Sequence, residues 1–264
     1  MTKPQFTLGL LSAFAALSSA QEAPRFDVTS VKLNKLDPRQ RQLSFGCSNG
    51  DFVSRGQGLR STLLWAFEVK PYQFSGLPAW VDSSDAIYDI EGKSASPVTE
   101  DQCKLMVQAL LADRFTLATH REAKEIPIYA LVVAKGGPKF KLASGDQQTK
   151  VTVNGSPVRV AGPPAAAKDA KAPSGGWSMQ QLANFASNPL FLGPPGRPVF
   201  ERTRLEGSYQ FSLDFSVAPP GRAPGGDAPD LFAALEQQLG LKLEDRKESA
   251  QMLVFDHFER PDAN

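Results

Sequence analysis

The chain has 264 residues, 41% of them hydrophobic, which is enough for a packed core and excludes a wholly disordered polymer. Its 29 Lys and Arg stand against 28 Asp and Glu, and Lys3 falls in a leader-like segment, so the remainder is formally neutral. Neutrality argues against nucleic acid or an anionic membrane surface as partner, and two His with two Cys leave little material for a metal site.

Residues 1–20 read as a secretory signal: Lys3, an apolar run over 6–17, then Ser18-Ser19-Ala20 before Gln21. The run is shorter than the roughly 20 residues that span a bilayer, and nothing later is long and apolar enough. The mature chain is therefore expected to be exported, periplasmic or extracellular, with no membrane span. In an oxidising compartment Cys47 and Cys103 become a candidate disulfide. The alternative for Cys103 is a small core residue, because it falls on an apolar helix face.

In chain order, Phe26-Asp27-Val28-Thr29-Ser30-Val31 alternates as a strand, and Phe52-Val53-Ser54 precedes a helix-spaced set, Leu59, Leu63, Leu64 and Phe67. Ile87-Tyr88-Asp89-Ile90-Glu91 reads as a strand. Thr99 and Gln102 have capping-box order before a helix whose Cys103, Met106, Val107, Leu110 and Leu111 share one face. Phe115-Thr116-Leu117 and residues 126–133 then read as two strands joined by a charged turn, 120–125.

The second half repeats this order. Short strands flank Asn154-Gly155, namely Val151-Thr152-Val153 and Val158-Arg159-Val160, and Ser178 with Gln181 opens a helix containing Leu182 and Phe185. Tyr209-Gln210-Phe211-Ser212-Leu213 reads as a strand. Leu231, Phe232, Leu235 and Leu239 line a helix that stops at Gly240, followed by Leu241-Lys242-Leu243-Glu244, a charged turn and residues 252–258. The two endings superpose without a gap at an offset of 126, Phe115 on Leu241 and Arg121 on Lys247. The expected fold is α+β: two duplicated strand-helix-strand repeats, 21–145 and 146–264, with small mixed or antiparallel sheets each packed by one or two helices. Pro/Ala/Gly-rich loops are expected at 161–176 and 219–229.

The search for chemistry is mostly negative. His120 and His257 stand alone, no serine-hydrolase or penicillin-recognising signature occurs, and Gly92-Lys93-Ser94 lacks the upstream glycine of a phosphate loop. Gly56-Gln57-Gly58 fails as a dinucleotide fingerprint at Ser61. Asp82-Ser83-Ser84-Asp85 reads as a polar turn and Asp89 with Glu91 as a solvated strand face. Trp65, Trp80 and Trp177 are assigned to packing. No catalytic, cofactor-binding or metal-binding residue is assigned.

The words Leu110-Leu111-Ala112-Asp113-Arg114-Phe115, His120-Arg121-Glu122, Pro127-Ile128-Tyr129-Ala130 and Lys135-Gly136-Gly137-Pro138-Lys139 carry a resemblance. So do Gly196-Arg197-Pro198-Val199, Gln238-Leu239-Gly240-Leu241-Lys242-Leu243-Glu244 and the ending Asp256-His257 with Arg260-Pro261. Over about 26–261 the chain resembles the "soil-associated protein" family of secreted bacterial proteins of unknown function. It departs from that pattern at Glu201-Arg202-Thr203-Arg204, where the family often has Asp-Lys-Thr-Gly. The resemblance implies an extracytoplasmic context, since related domains are attached to membrane metallopeptidases of the antibiotic-sensor type.

The function expected from these readings is a non-enzymatic binding or sensor-accessory module of the cell envelope. Its partner would be an envelope protein or peptide, taken up at a sheet edge such as 126–133 or 252–258, or in a groove between the repeats. Against the first mode, the continuous apolar character of both runs suits central strands. A secreted hydrolase with an atypical site and a purely structural envelope protein are the alternatives.

Overall fold

The structure, a computed structural model, describes residues 24–144, 149–158, 176–192, 197–217 and 228–261. The signal-like residues 1–20, most of the loops at 161–176 and 219–229, and Arg159, Val160 and Gly196 of the motifs above lie outside the described residues. The elements run β1 (Val28–Leu33), β2 (Ser44–Ser48), β3 (Asp51–Arg55), α1 (Leu59–Ala66), β4 (Phe74–Ser75), β5 (Tyr88–Lys93) and α2 (Glu100–Phe115). They continue with β6 (Ala118–Val133), β7 (Lys141–Leu142), β8 (Lys150–Val153), β9 (Ser156–Pro157), α3 (Met179–Ala186) and α4 (Pro189–Leu192). The last are β10 (Val199–Glu201), β11 (Tyr209–Gln210), β12 (Ser212–Phe215), α5 (Leu231–Ala234) and β13 (Leu241–His257). Helices and strands are mixed in small sheets, an α+β fold.

The chain forms two compact units that interleave along the sequence. One takes residues up to 69, 76–119 and 255 onward, and the other takes 70–75 and 120–254. The first is built on an antiparallel sheet ordered β1-β5-β3-β2. Strand alternation sends Val31, Ile90 and Phe52 to its core face, where α1 and α2 contribute Leu59, Leu63, Met106, Val107, Leu110 and Leu111. Thr99 and Gln102 form the expected capping box, satisfying amides that the first helical turn would leave orphaned. Cys47 of β2 and Cys103 of α2 are joined in a disulfide with 6.6 Å between Cα atoms. The buried hydroxyls of Ser54 and Thr62 satisfy each other at 3.1 Å. Trp65 stacks on Phe52 with centroids 5.3 Å apart, and Trp80 lies 5.1 Å from Phe258, so both serve packing.

In the second unit, β10-β6-β13-β4 form one sheet and β12-β8-β9 another. Its core gathers Leu131, Leu182, Leu213, Phe215, Leu231, Leu235, Leu239 and Leu241 around α3 and α5. Trp177 packs there against Phe185 and Phe211. Asn154 and Gly155 both take positive φ in the β8–β9 turn, as the Asn-Gly pair requires. α5 continues through a π-helical turn, Leu235–Leu239, to the left-handed Gly240. Phe232 departs from its expected place: it is 37% exposed while Leu231, Leu235 and Leu239 are buried.

The two charged turns do not exist. β6 is continuous through 120–125 and β13 through 245–250. Neither stretch contains Gly, Asn or Pro to reverse the chain, and solvated charged side chains are compatible with extended backbone. Phe115-Thr116-Leu117 is likewise no strand: Phe115 ends α2 and Thr116 caps it in the left-handed conformation. The two left-handed caps, Thr116 and Gly240, lie 124 residues apart. At that spacing the buried Val107, Leu110, Leu111, Phe115 and Leu117 match the buried Leu231, Ala234, Leu235, Leu239 and Leu241. The gapless offset of 126 misses these caps by two residues yet preserves strand faces, because side chains alternate with period two.

Closing a chain segment of 56 residues, the disulfide should contribute about 4 kcal/mol by restricting the unfolded chain. Urea titration of oxidised and phosphine-reduced protein measures this, and equal midpoints would refute it. The caps should respond oppositely: Thr116→Gly is expected to stabilise by about 1 kcal/mol and Gly240→Ala to destabilise by at least about 1 kcal/mol. Thermal unfolding of the two variants distinguishes them by the sign of the Tm change.

Candidate functional site

Strand edges are the first place to look for recognition, and in the second unit they are covered in part. The runs 126–133 and 252–258 belong mainly to β6 and β13, the inner strands of their sheet, with β10 pairing at 129–131 and β4 at 253–254. Pro127 lies just before the stretch that β10 covers, so its missing N–H interrupts none of those pairs. Two of the outer strands, β10 and β12, each have an amide engaged by a side chain. Ser187 Oγ accepts from Val199 N at 2.8 Å on β10. Gln238 accepts from Asp214 N at 2.9 Å and donates to Asp214 O at 2.7 Å on β12. Strand addition at 129–131 or 253–254 would therefore have to displace β10 or β4.

Two clefts remain. The larger, about 410 Å³, lies between the Lys135-Gly136 turn and the end of α5, lined by Lys135, Lys139, Glu236 and Lys242. Two of its cations, Lys139 and Lys242, have structural work. Lys139 Nζ donates to Gln237 O at 2.8 Å, where a helix end presents unsatisfied carbonyls, and Lys242 pairs with Glu244 at 2.6 Å.

The second cleft, about 310 Å³, is lined by Lys70, Tyr72, Gln180, Ser187, Val199, Phe200, Glu201 and Arg202. Three local structures place these groups. A 3-10 turn at Pro71–Gln73 positions Lys70 and Tyr72, with Lys70 N donating to Gln73 Oε1 at 2.8 Å. α3, started by the Ser178–Gln181 capping box, carries Gln180 and Asn184. β10, held to β6 in parallel register, carries Phe200 and Glu201. The Tyr72 and Phe200 rings sit 5.8 Å apart, and the Arg202 guanidinium lies over Phe200 at 5.5 Å.

The charges on this cleft are unequally engaged. Arg202 is paired with Glu248. Glu201 Oε1 accepts from Thr203 N at 2.6 Å and from Thr203 Oγ1 at 2.5 Å. Lys70 has no carboxylate partner among the described residues; its Nζ donates to the amide oxygen of Asn184, which also receives Gln180 Nε2 at 3.1 Å. Burial holds the Lys70 ammonium below the ordinary lysine range. Burial also raises the Tyr72 phenol, which stays protonated as a donor and has no hydrogen-bond partner among the described residues.

The residues singled out in the sequence lie elsewhere. Cys47 and Cys103 form the disulfide. Asp82 and Asp85 engage Arg60 and Arg260, Glu91 engages Arg55, and Asp89 accepts from Gly56 N at 2.9 Å, so each has a structural partner. His257 pairs with Glu259 at 3.0 Å. Among the described residues no three His, Cys, Asp or Glu side chains are grouped to hold a metal ion. The cleft escaped the sequence search because its residues come from segments far apart in the chain. One signal was available: Glu201-Arg202-Thr203-Arg204 departs from the resembled pattern at this rim. There Arg204 takes φ 61°, a conformation that glycine adopts freely.

A family model described as "Protein of unknown function (DUF3738)" matches residues 60–258. No curated protein and no solved structure matches the chain.

Lys70 makes the stability of the fold depend on pH in a defined direction. Its folded pKa lies below the ordinary 10.5, so at lower pH the charged form bears the burial penalty in full. As pH rises through the folded value toward 10.5, the folded state loses its proton first and the penalty lifts. Wild-type stability relative to Lys70→Met should therefore rise with pH across that window, read from paired urea midpoints. Parallel curves for the two chains would exclude the burial effect.

Proposed function

We propose that this chain, which belongs to the DUF3738 family of proteins of unknown function, is a non-enzymatic binding or sensor-accessory module of the cell envelope. We infer that its ligand site is the cleft formed by Lys70, Tyr72, Gln180 and Phe200. The observation that carries the reading is a Lys70 ammonium with no carboxylate partner among the described residues, beside an unpartnered phenol and an aromatic pair. These groups gain from a ligand more than they gain from one another. Ser187, the aliphatic hydroxyl on the cleft, is committed to Ala183 O at 2.8 Å and to the Val199 amide, which favours binding over nucleophilic catalysis.

The export part of the reading draws on the signal-like residues 1–20 and on the Cys47–Cys103 bridge, since disulfides persist mainly in oxidising compartments. The resemblance to secreted soil-associated proteins supports the same context. Edge-strand capping by Ser187 and Gln238 favours a side-chain cleft over strand addition as the mode of recognition.

The reading is tested with the ¹⁵N-labelled chain beginning at Gln21, titrated with soluble fragments of a bacterial envelope digest. Chemical-shift changes are expected to concentrate at 70–72, 180–187 and 199–202 and to vanish in the Tyr72→Ala/Phe200→Ala double variant. Shifts confined to other residues, or unchanged in that variant, would remove the cleft from the proposal.

A further inference from the structure

Resting on the assignment of this cleft as the ligand site, we propose that it selects a monoanionic carboxylate carried on a flat or apolar body about the size of one amino-acid residue. The size follows from the volume of about 310 Å³, at the small end of ligand pockets. The apolar body follows from the Tyr72 and Phe200 rings, whose tilted pair exposes hydrocarbon to the same cleft.

The charge follows from what each polar group already does. Lys70 Nζ spends one of its three donors on Asn184 Oδ1, and Tyr72 has its hydroxyl proton to give. Two donors on one cleft, one of them charged, suit an oxyanion through charge-assisted bonds. Arg202 adds no free charge because Glu248 holds it. Glu201 lines the same cleft with a negative charge whose Oε1 is tied to Thr203, and it disfavours a dianion such as a phosphate monoester. Lys70 is the cation of the cleft that lacks a carboxylate partner among the described residues, and a single negative charge on the ligand answers it. The amide of Gln180 offers its carbonyl oxygen as an acceptor, since only its nitrogen is engaged by Asn184.

The experiment uses the chain from Gln21 onward and two pairs of probes. The first pair is 3-phenylpropionate and its neutral isostere 3-phenylpropanamide; the second is N-acetyl-Ala-Phe with a free or an amidated C-terminus. Each acid is compared with its amide by calorimetry, with binding located by amide chemical shifts. An acid is expected to bind at least about tenfold more tightly than its amide, the scale of a hydrogen bond to a charged group. Lys70→Gln should erase that preference, Lys70→Arg should keep part of it, and Tyr72→Phe should weaken the acid several-fold while leaving the amide unchanged. Which pair responds separates a free small acid from the end of a peptide, and either response supports the carboxylate.

Equal binding of acid and amide at the cleft, or a preference that survives Lys70→Gln, overturns the carboxylate while leaving the cleft as a site. If neither acid nor amide shifts residues 70–72, 180–187 or 199–202, the carboxylate proposal and the site assignment fail together. Thermal unfolding of Lys70→Gln and Tyr72→Phe at or above the wild-type Tm establishes that losses of binding are local.

Discussion

The close approach of Gly240 to Gly137 is the constraint on which much of the second unit depends. A Cβ on Gly240 would sit inside the van der Waals sphere of Gly137 O, and the residue takes φ 65°. Both conditions select glycine. With the turn so placed, Ala134 N donates to Gly240 O at 2.9 Å and Lys139 N to Leu239 O at 2.9 Å, locking the end of β6 to the start of β13. The position of this turn decides which β13 side chains face inward. Leu241 is buried, and a slip of one residue would bring Lys242 in its place. The lysines nearby read as parts of this joint, because Lys139 neutralises the helix end that the turn leaves bare.

Around that joint, backbone recognition gives way to side-chain recognition. Short outer strands expose few amides, and those of Val199 and Asp214 are occupied by Ser187 and Gln238. Such capping protects small sheets from pairing with other chains, and it also removes the simplest way of taking up an extended peptide. What remains for a ligand is a surface where side chains from a 3-10 turn, a helix and a strand converge. The parallel pairing of β10 with β6 and the capping box of α3 fix two of the three contributors. The third, the Lys70–Tyr72 segment, is held by Gln73, which accepts from Lys70 N at 2.8 Å and donates to Gln251 O at 2.7 Å.

Local chemistry was legible in the sequence wherever it decided local structure. The boxes at Thr99 and Ser178, the Asn154-Gly155 turn and the stop at Gly240 were all readable, because each depends on residues within a few positions. The charged segments 120–125 and 245–250 misled because charge reports solvation, and a solvated strand carries the same composition as a turn. Thr116 misled for a different reason: a β-branched residue in the left-handed region contradicts its own preference and signals no cap. The cleft was illegible, since Lys70, Tyr72, Gln180 and Phe200 have no common spacing. Only tertiary packing makes them neighbours.

The same packing sets fold and binding in opposition at Lys70. The Lys70 ammonium has a neutral acceptor, Asn184 Oδ1, and no carboxylate partner among the described residues. A carboxylate partner would supply the counter-charge at once, yet the carboxylate that lines the cleft, Glu201, is bound to Thr203. Folding therefore leaves the cation without a counter-charge and the aromatic pair open beside it. An incoming anion meets a cation that has no ion pair to break first, so less opposes binding. Local consistency fails at few places in this unit, and this one coincides with a cleft, which is where a departure from it has a functional meaning.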